Sequence, residues 1–186
     1  MKRFFLFLYV IFISLAMVSC GERKKIESMM ADFIKTKIVI PNDLECICRR
    51  EVKTIDLESI KENRLVIYYD SLDCSSCRIS HLEENFPLYE MADTGGFSLL
   101  TIFSPRVDEL EEVRLQLMLI NFQFPIYVDV NGSFSRQNAS IPSDLRFHNF
   151  LVGPDNHPLF VGNPLANDKL FDLFQEVLIQ SNIINN

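Results

Sequence analysis

Cys74 and Cys77 frame the dipeptide Ser75-Ser76 and stand where one sequence pattern gives way to another. Before them, Leu65-Val66-Ile67-Tyr68-Tyr69 is a short apolar, β-rich run that predicts a buried strand. After them, Ile79, Leu82, Phe86 and Tyr89 recur at helical spacing, which predicts an amphipathic helix from about Cys74 to Met91. A thiol at the start of a helix meets unpaired N–H groups and the positive end of the helix dipole, so its thiolate is favoured. Such a pair can oxidise, reduce or isomerise disulfides. The plainer alternative is an inert disulfide that pins the start of the helix.

Other residues could also do chemistry. Cys46-Ile47-Cys48, if extended, points both thiols to one side. They can form a strained pair, a second redox relay or two small core residues, and the last is favoured. His81 follows Cys74 and Cys77 on one helical face, a spacing that could bring an imidazole to two thiolates, although a lone histidine on a helix is more often a surface residue. Glu83 and Glu84 are read as the solvated face of the same helix.

The N-terminus supplies the context. Lys2 and Arg3 precede an apolar run from Phe4 to Val18, shorter than the roughly 20 residues that span a bilayer, so residues 1–19 read as a secretory signal. The run ends in Met17-Val18-Ser19-Cys20-Gly21, which resembles a bacterial lipoprotein box and implies that Cys20 becomes a lipidated N-terminus. The expected location is the periplasmic or cell-surface face of a bacterial membrane, where disulfides persist. Removing residues 1–19 takes away two bases and no acid and moves the formal charge from −7 to −9, which argues against nucleic acid as a partner. The basic stretch Arg23-Lys24-Lys25 is a solvated tether. The rest, with 16 Phe and no Trp, suits one domain with a Phe- and Leu-filled core.

The remaining elements follow from pattern. Ile26 to Thr36 predicts a short helix, Lys37 to Ile40 a β-like segment, and Leu44 to Thr54 an outer strand or hairpin. Phe97–Phe103 is a second buried strand. Ser104-Pro105 predicts a helix start, with the helix running through Asn121. Pro125–Val130 is a strand with a turn at Asp129–Gly132; Phe147–Val152 and Leu159–Val161 flank the hairpin signal Gly153-Pro154-Asp155-Asn156; Asn167 to about Ile179 closes as a helix. This order predicts an α/β protein whose parallel strands come first and whose antiparallel pair comes last. It resembles the thioredoxin fold, a central mixed sheet flanked by helices, with the Cys-x-x-Cys where that family keeps it. The chain looks in particular like the lipid-anchored, TlpA-type thioredoxin-like proteins of Bacteroides-type bacteria, through Tyr69-Asp70-Ser71 ahead of the cysteines, Phe147-His148 before Phe150-Leu151, and Val161-Gly162-Asn163-Pro164. The expected division is 1–19 signal peptide, 20–60 tether and N-terminal extension, and 61–186 thioredoxin-like domain.

The resemblance implies that Cys74 is the attacking thiolate and Cys77 the resolving thiol one turn deeper, with protein thiols and disulfides of the cell envelope as partners and no cofactor beyond the Cys74–Cys77 disulfide. Reduction is preferred over oxidation. Two positions depart from the family. Phe147 stands where a cis-proline belongs, with Pro142 five residues too early, and Tyr68 stands where many thioredoxins bury a carboxylate. Phe147 and His148 are accordingly the expected substrate-facing residues. The missing proline raises a second reading, a Sco-like copper site of Cys74, Cys77 and His148. A peroxiredoxin is set aside, because Asp70-Ser71-Leu72-Asp73 offers neither its proline nor its threonine. A thioredoxin-fold binding or structural module without redox turnover is the non-enzymatic alternative.

Overall fold

Alternation along the central strands sorts the apolar residues onto two faces. In β3 (Asn63–Tyr69), Leu65 and Ile67 enter one buried cluster while Val66 and Tyr68 enter another. The structure, a computed structural model, describes residues 22–184. The signal segment 1–19 and Cys20 lie outside the described residues.

The chain runs through a helix α1 over 22–33, the hairpin β1 (Glu45–Cys48) and β2 (Glu51–Thr54), then β3, α2 (Ser75–Ser80), α3 (Phe86–Thr94) and β4 (Phe97–Phe103). It continues through α4 (Leu110–Leu119), β5 (Ile126–Val128), α5 (Ser133–Gln137), β6 (Asn149–Val152), β7 (Pro158–Val161) and α6 (Asp168–Gln180). Seven strands form one sheet in the order β2-β1-β5-β4-β3-β6-β7. β3, β4 and β5 are parallel, and both ends of the sheet are antiparallel. A parallel β-α-β core, an antiparallel hairpin and a final helix, with Cys-x-x-Cys directly after the central strand, make this a thioredoxin fold. α3, α4 and α6 cover one face through Leu88, Val113, Leu117, Phe174 and Leu178; α1 and α5 cover the other through Phe33 and Phe134.

Several elements differ from expectation for identifiable reasons. The helix expected from Cys74 to Met91 is broken into α2, a 3₁₀ turn over Leu82–Asn85, and α3. Pro87 has no N–H to donate into the preceding turn, and it sits in the first turn of a new helix, where that N–H is not needed. The helix expected from Ser104 begins only at Leu110, because the Ser104 hydroxyl is buried and donates to Asp129 (2.9 Å) instead of capping. Lys37 to Ile40 joins no strand ladder. The Asn138 side chain takes the place of a neighbouring strand, accepting from Val39 N–H and donating to Val39 C=O, both at 2.8 Å. Phe147 belongs to a 3₁₀ turn over Leu145–Phe147, and β6 begins two residues later. α6, in contrast, opens as read: the Asn167 side chain accepts from Leu170 N–H.

Candidate active site

The turn after β3 is shaped by two aspartates. Asp70 Oδ1 accepts from Leu72 N–H at 2.8 Å, and the Asp70 carbonyl accepts from Asp73 N–H at 3.1 Å, which reverses the chain within four residues. Asp73 Oδ1 takes two hydrogen bonds from the Arg78 guanidinium, at 2.9 and 3.2 Å. That guanidinium also lies over the Tyr69 ring, 5.4 Å from its centroid. The start of α2 is thereby tied to both the turn and the end of β3.

Cys74 is the N-cap of α2 and Cys77 lies one turn into it. Cys77 N–H donates to Cys74 Sγ at 3.3 Å, and the two residues are joined as a disulfide with Cα atoms 5.3 Å apart. A helix N–H aimed at this sulfur would favour its thiolate after reduction. Both cysteines are exposed. They line a cleft of about 350 Å³ with Asp73, Arg78, His81 and Glu84. His81 does reach this cleft, but its Nδ1 is engaged by Glu84 Oε1 at 2.9 Å.

His148 does not line that cleft. It is buried, and its carbonyl accepts from Tyr68 N–H (2.8 Å), continuing the β3–β6 pairing by one residue. Its ring packs 5.3 Å from the Tyr68 ring. Nε2 donates to the Pro142 carbonyl at 3.0 Å, while Asp70 Oδ2 and Asp73 Oδ2 each approach a ring nitrogen at 3.9 Å. Phe147 points the other way, fully buried edge-on against Phe33. Of the two expected substrate-facing residues, then, Phe147 has its side chain in the core and His148 faces two aspartates behind the disulfide turn. No cis peptide bond occurs among the described residues.

Burial pushes the Tyr68 hydroxyl up to about 12, so it remains a neutral phenol where relatives were expected to keep a carboxylate. Burial likewise raises the Cys46 thiol to about 11. Cys46 packs at the edge of the second cluster, and Cys48 Sγ donates to the Gln123 carbonyl at 3.3 Å. These are half-buried, undisulfided thiols rather than fully packed core residues, and β3, the strand that leads to Cys74, lies three places from β1 in the sheet order.

Two features were not anticipated. Asp129 is buried yet fully satisfied, accepting from Ser104 Oγ, Phe134 N–H and Ser135 N–H, and so fixes the start of α5. Beside it a cavity of about 400 Å³, lined by Tyr68, Ser71, Ser104, Arg106, Asp129 and Arg136 among others, opens at the C-terminal ends of the parallel strands. The signal for Asp129 was present in the sequence as an aspartate opening a turn, but its partners come from the residue after β4 and from α5.

No family model and no curated protein matches the sequence. Among solved structures the chain is similar to a putative protein disulfide isomerase from Bacteroides thetaiotaomicron, at 16% identity over 81% of this chain and 93% of that one, with a TM-score of 0.48. It is similar to a mitochondrial 2-Cys peroxiredoxin from Plasmodium falciparum at 16% identity, over 78% and 95% of the two chains, with a TM-score of 0.48. An uncharacterised thioredoxin-like protein from Porphyromonas gingivalis follows at 15% identity, over 82% and 97%, with a TM-score of 0.42. The thioredoxin fold of this chain stands on its own strand order and on the place of Cys74 and Cys77 within it.

Proposed function

We propose that this chain is a thiol–disulfide oxidoreductase of the cell envelope, related to the TlpA-type proteins, held to a membrane through Cys20 and working mainly as a reductant. The observation that carries the reading is the solvent-exposed Cys74–Cys77 pair, set at the start of α2 with a helix N–H on Cys74 Sγ. In the reduced state the Cys74 thiolate attacks a partner disulfide. The partner's S–S bond breaks, one partner sulfur leaves as thiolate and takes up a proton, and a mixed disulfide remains. The Cys77 thiolate, its proton passed to solvent, then attacks Cys74 Sγ and releases the second partner thiol. The partner gains two electrons, and the Cys74–Cys77 disulfide forms in their place. An external dithiol must restore the reduced state.

The test is a Cys77→Ser variant expressed in its own envelope. Mixed disulfides should accumulate through Cys74 and disappear in a Cys74→Ser, Cys77→Ser double variant. The wild-type protein should catalyse reduction of insulin by dithiothreitol. An empty trap together with no insulin reduction would leave the inert-disulfide alternative in possession of the site.

A further inference from the structure

We propose that Asp70, Asp73 and His148 form a binding site for a divalent transition-metal cation of the zinc class, directly behind the redox turn. One oxygen of each carboxylate and one ring nitrogen of His148 lie within 4.8 Å of one another. A cation holding three such atoms at about 2.0–2.2 Å would draw the group together.

The surrounding hydrogen bonds are arranged for this role. Asp70 Oδ1 is held by Leu72 N–H and Asp73 Oδ1 by Arg78, which leaves Oδ2 of each toward the histidine, Asp73 Oδ2 at 3.9 Å from Nδ1 and Asp70 Oδ2 at 3.9 Å from Nε2. His148 Nε2 can only donate to the Pro142 carbonyl, so in the neutral ring it is Nδ1 that carries the lone pair. That atom is buried without a partner, in a residue only 3% exposed. A metal-ligating histidine characteristically spends its other N–H on a carbonyl or carboxylate, and ligating carboxylates are themselves hydrogen-bonded. All three side chains have this form. Nδ1 faces the Asp73 carboxylate oxygen across 3.9 Å and makes no hydrogen bond. Arg78 offsets one of the two negative charges, which leaves the pair of carboxylates net negative toward a cation.

The donor set chooses the class. One imidazole and two carboxylates suit zinc, manganese or ferrous iron, whereas calcium and magnesium take oxygen alone and copper(I) prefers thiolates. Three protein ligands leave a position for water. The site joins the turn after β3, through Asp70 and Asp73, to the segment entering β6, through His148. It would brace the two segments on which the cysteine turn rests, independently of whether the cysteines turn over.

The test uses the mature protein with Cys74–Cys77 oxidised and Cys46 and Cys48 blocked by iodoacetamide, so that no thiolate is available. Zinc should bind at one per chain in equilibrium dialysis and raise the melting temperature. Cobalt(II) should give d–d absorption without thiolate charge-transfer bands. Asp70→Asn, at a partly exposed side chain, should weaken zinc at least about tenfold while the unliganded melting temperature stays put; His148→Ala should abolish binding. Three results overturn the proposal: no zinc, cobalt or manganese binding by the wild type, in which case a proton on Nδ1 fills the gap; sulfur-to-cobalt bands; or unchanged affinity in both variants. Because every thiol is blocked, none of these results bears on insulin reduction, and an inactive redox pair would leave zinc binding intact.

Discussion

At the scale of single residues, position relative to the backbone decides what each ionisable group can do. Asp144 caps the 3₁₀ turn that carries Phe147 and leads into His148, accepting from Arg146 N–H at 3.1 Å and from the Arg146 guanidinium at 2.9 Å. These hydrogen bonds favour the carboxylate and lower its pKa from 3.8 to about 2. A depressed carboxyl contributes stability that is fully present above its unfolded pKa of 3.8 and is lost as pH falls through about 2. In carboxyl-resolved NMR titrations, Arg146→Ala should move the Asp144 midpoint back toward 3.8; an unmoved midpoint would show that the arginine is not the cause. Residue chemistry was only half legible in the sequence. Cys74 and Cys77 announced themselves because their spacing and their neighbours are local. His148 was singled out, but its partnership with Asp70 was not, because 78 positions separate them and only the pairing of β3 with β6 brings them together.

Elements were legible where the pattern was strong and local. β4 occupies the seven positions Phe97–Phe103 that its apolar run indicates, and α6 begins at its asparagine cap. Reading failed where a side chain was claimed by a distant partner, as with Ser104, or where the element is too short to show a period, as with Ser-Phe-Ser-Arg-Gln in α5. The β1–β2 hairpin turns through Arg49 and Arg50 at φ of 50° and 65°, a left-handed pair that the twist of a hairpin prefers but that arginine does not. Its outer strand β2 is exposed along its whole length, so the turn has little packing to support it. Replacing the pair by Asn-Gly should stabilise the protein by about 1 kcal/mol in urea unfolding, with the m-value unchanged. A loss of stability would mean that the arginine side chains make contacts that outweigh their backbone strain.

Across the whole molecule, the segment ahead of the central β-α-β unit is built into the fold on both sides of the sheet. Its hairpin extends the sheet beyond β5, and its first helix places Phe33 edge-on against Phe147 and Phe150, with ring centroids 5.9 and 5.3 Å apart. Asn138, itself buried, clasps Val39 by both its N–H and its C=O and holds the connection between them. Asn138→Ala leaves those two backbone groups without partners and should cost about 2 kcal/mol or more, with early loss of hydrogen-exchange protection at Val39. Protection lost only together with the central strands would refute a local clasp. The helix over Ile26–Thr36 was legible in the sequence, but its seat was not, because the side chains that receive Phe33, Ile38 and Leu44 come from distant strands.

The docked first helix also sets a geometric limit. Under the proposed lipidation, Cys20 stands only two positions ahead of the first described helix, which begins at residue 22, and two residues reach at most about 7 Å. If the proposed redox role holds, the Cys74–Cys77 turn would then stay close to the membrane, and proximity to it, as much as thiol chemistry, would select its partners.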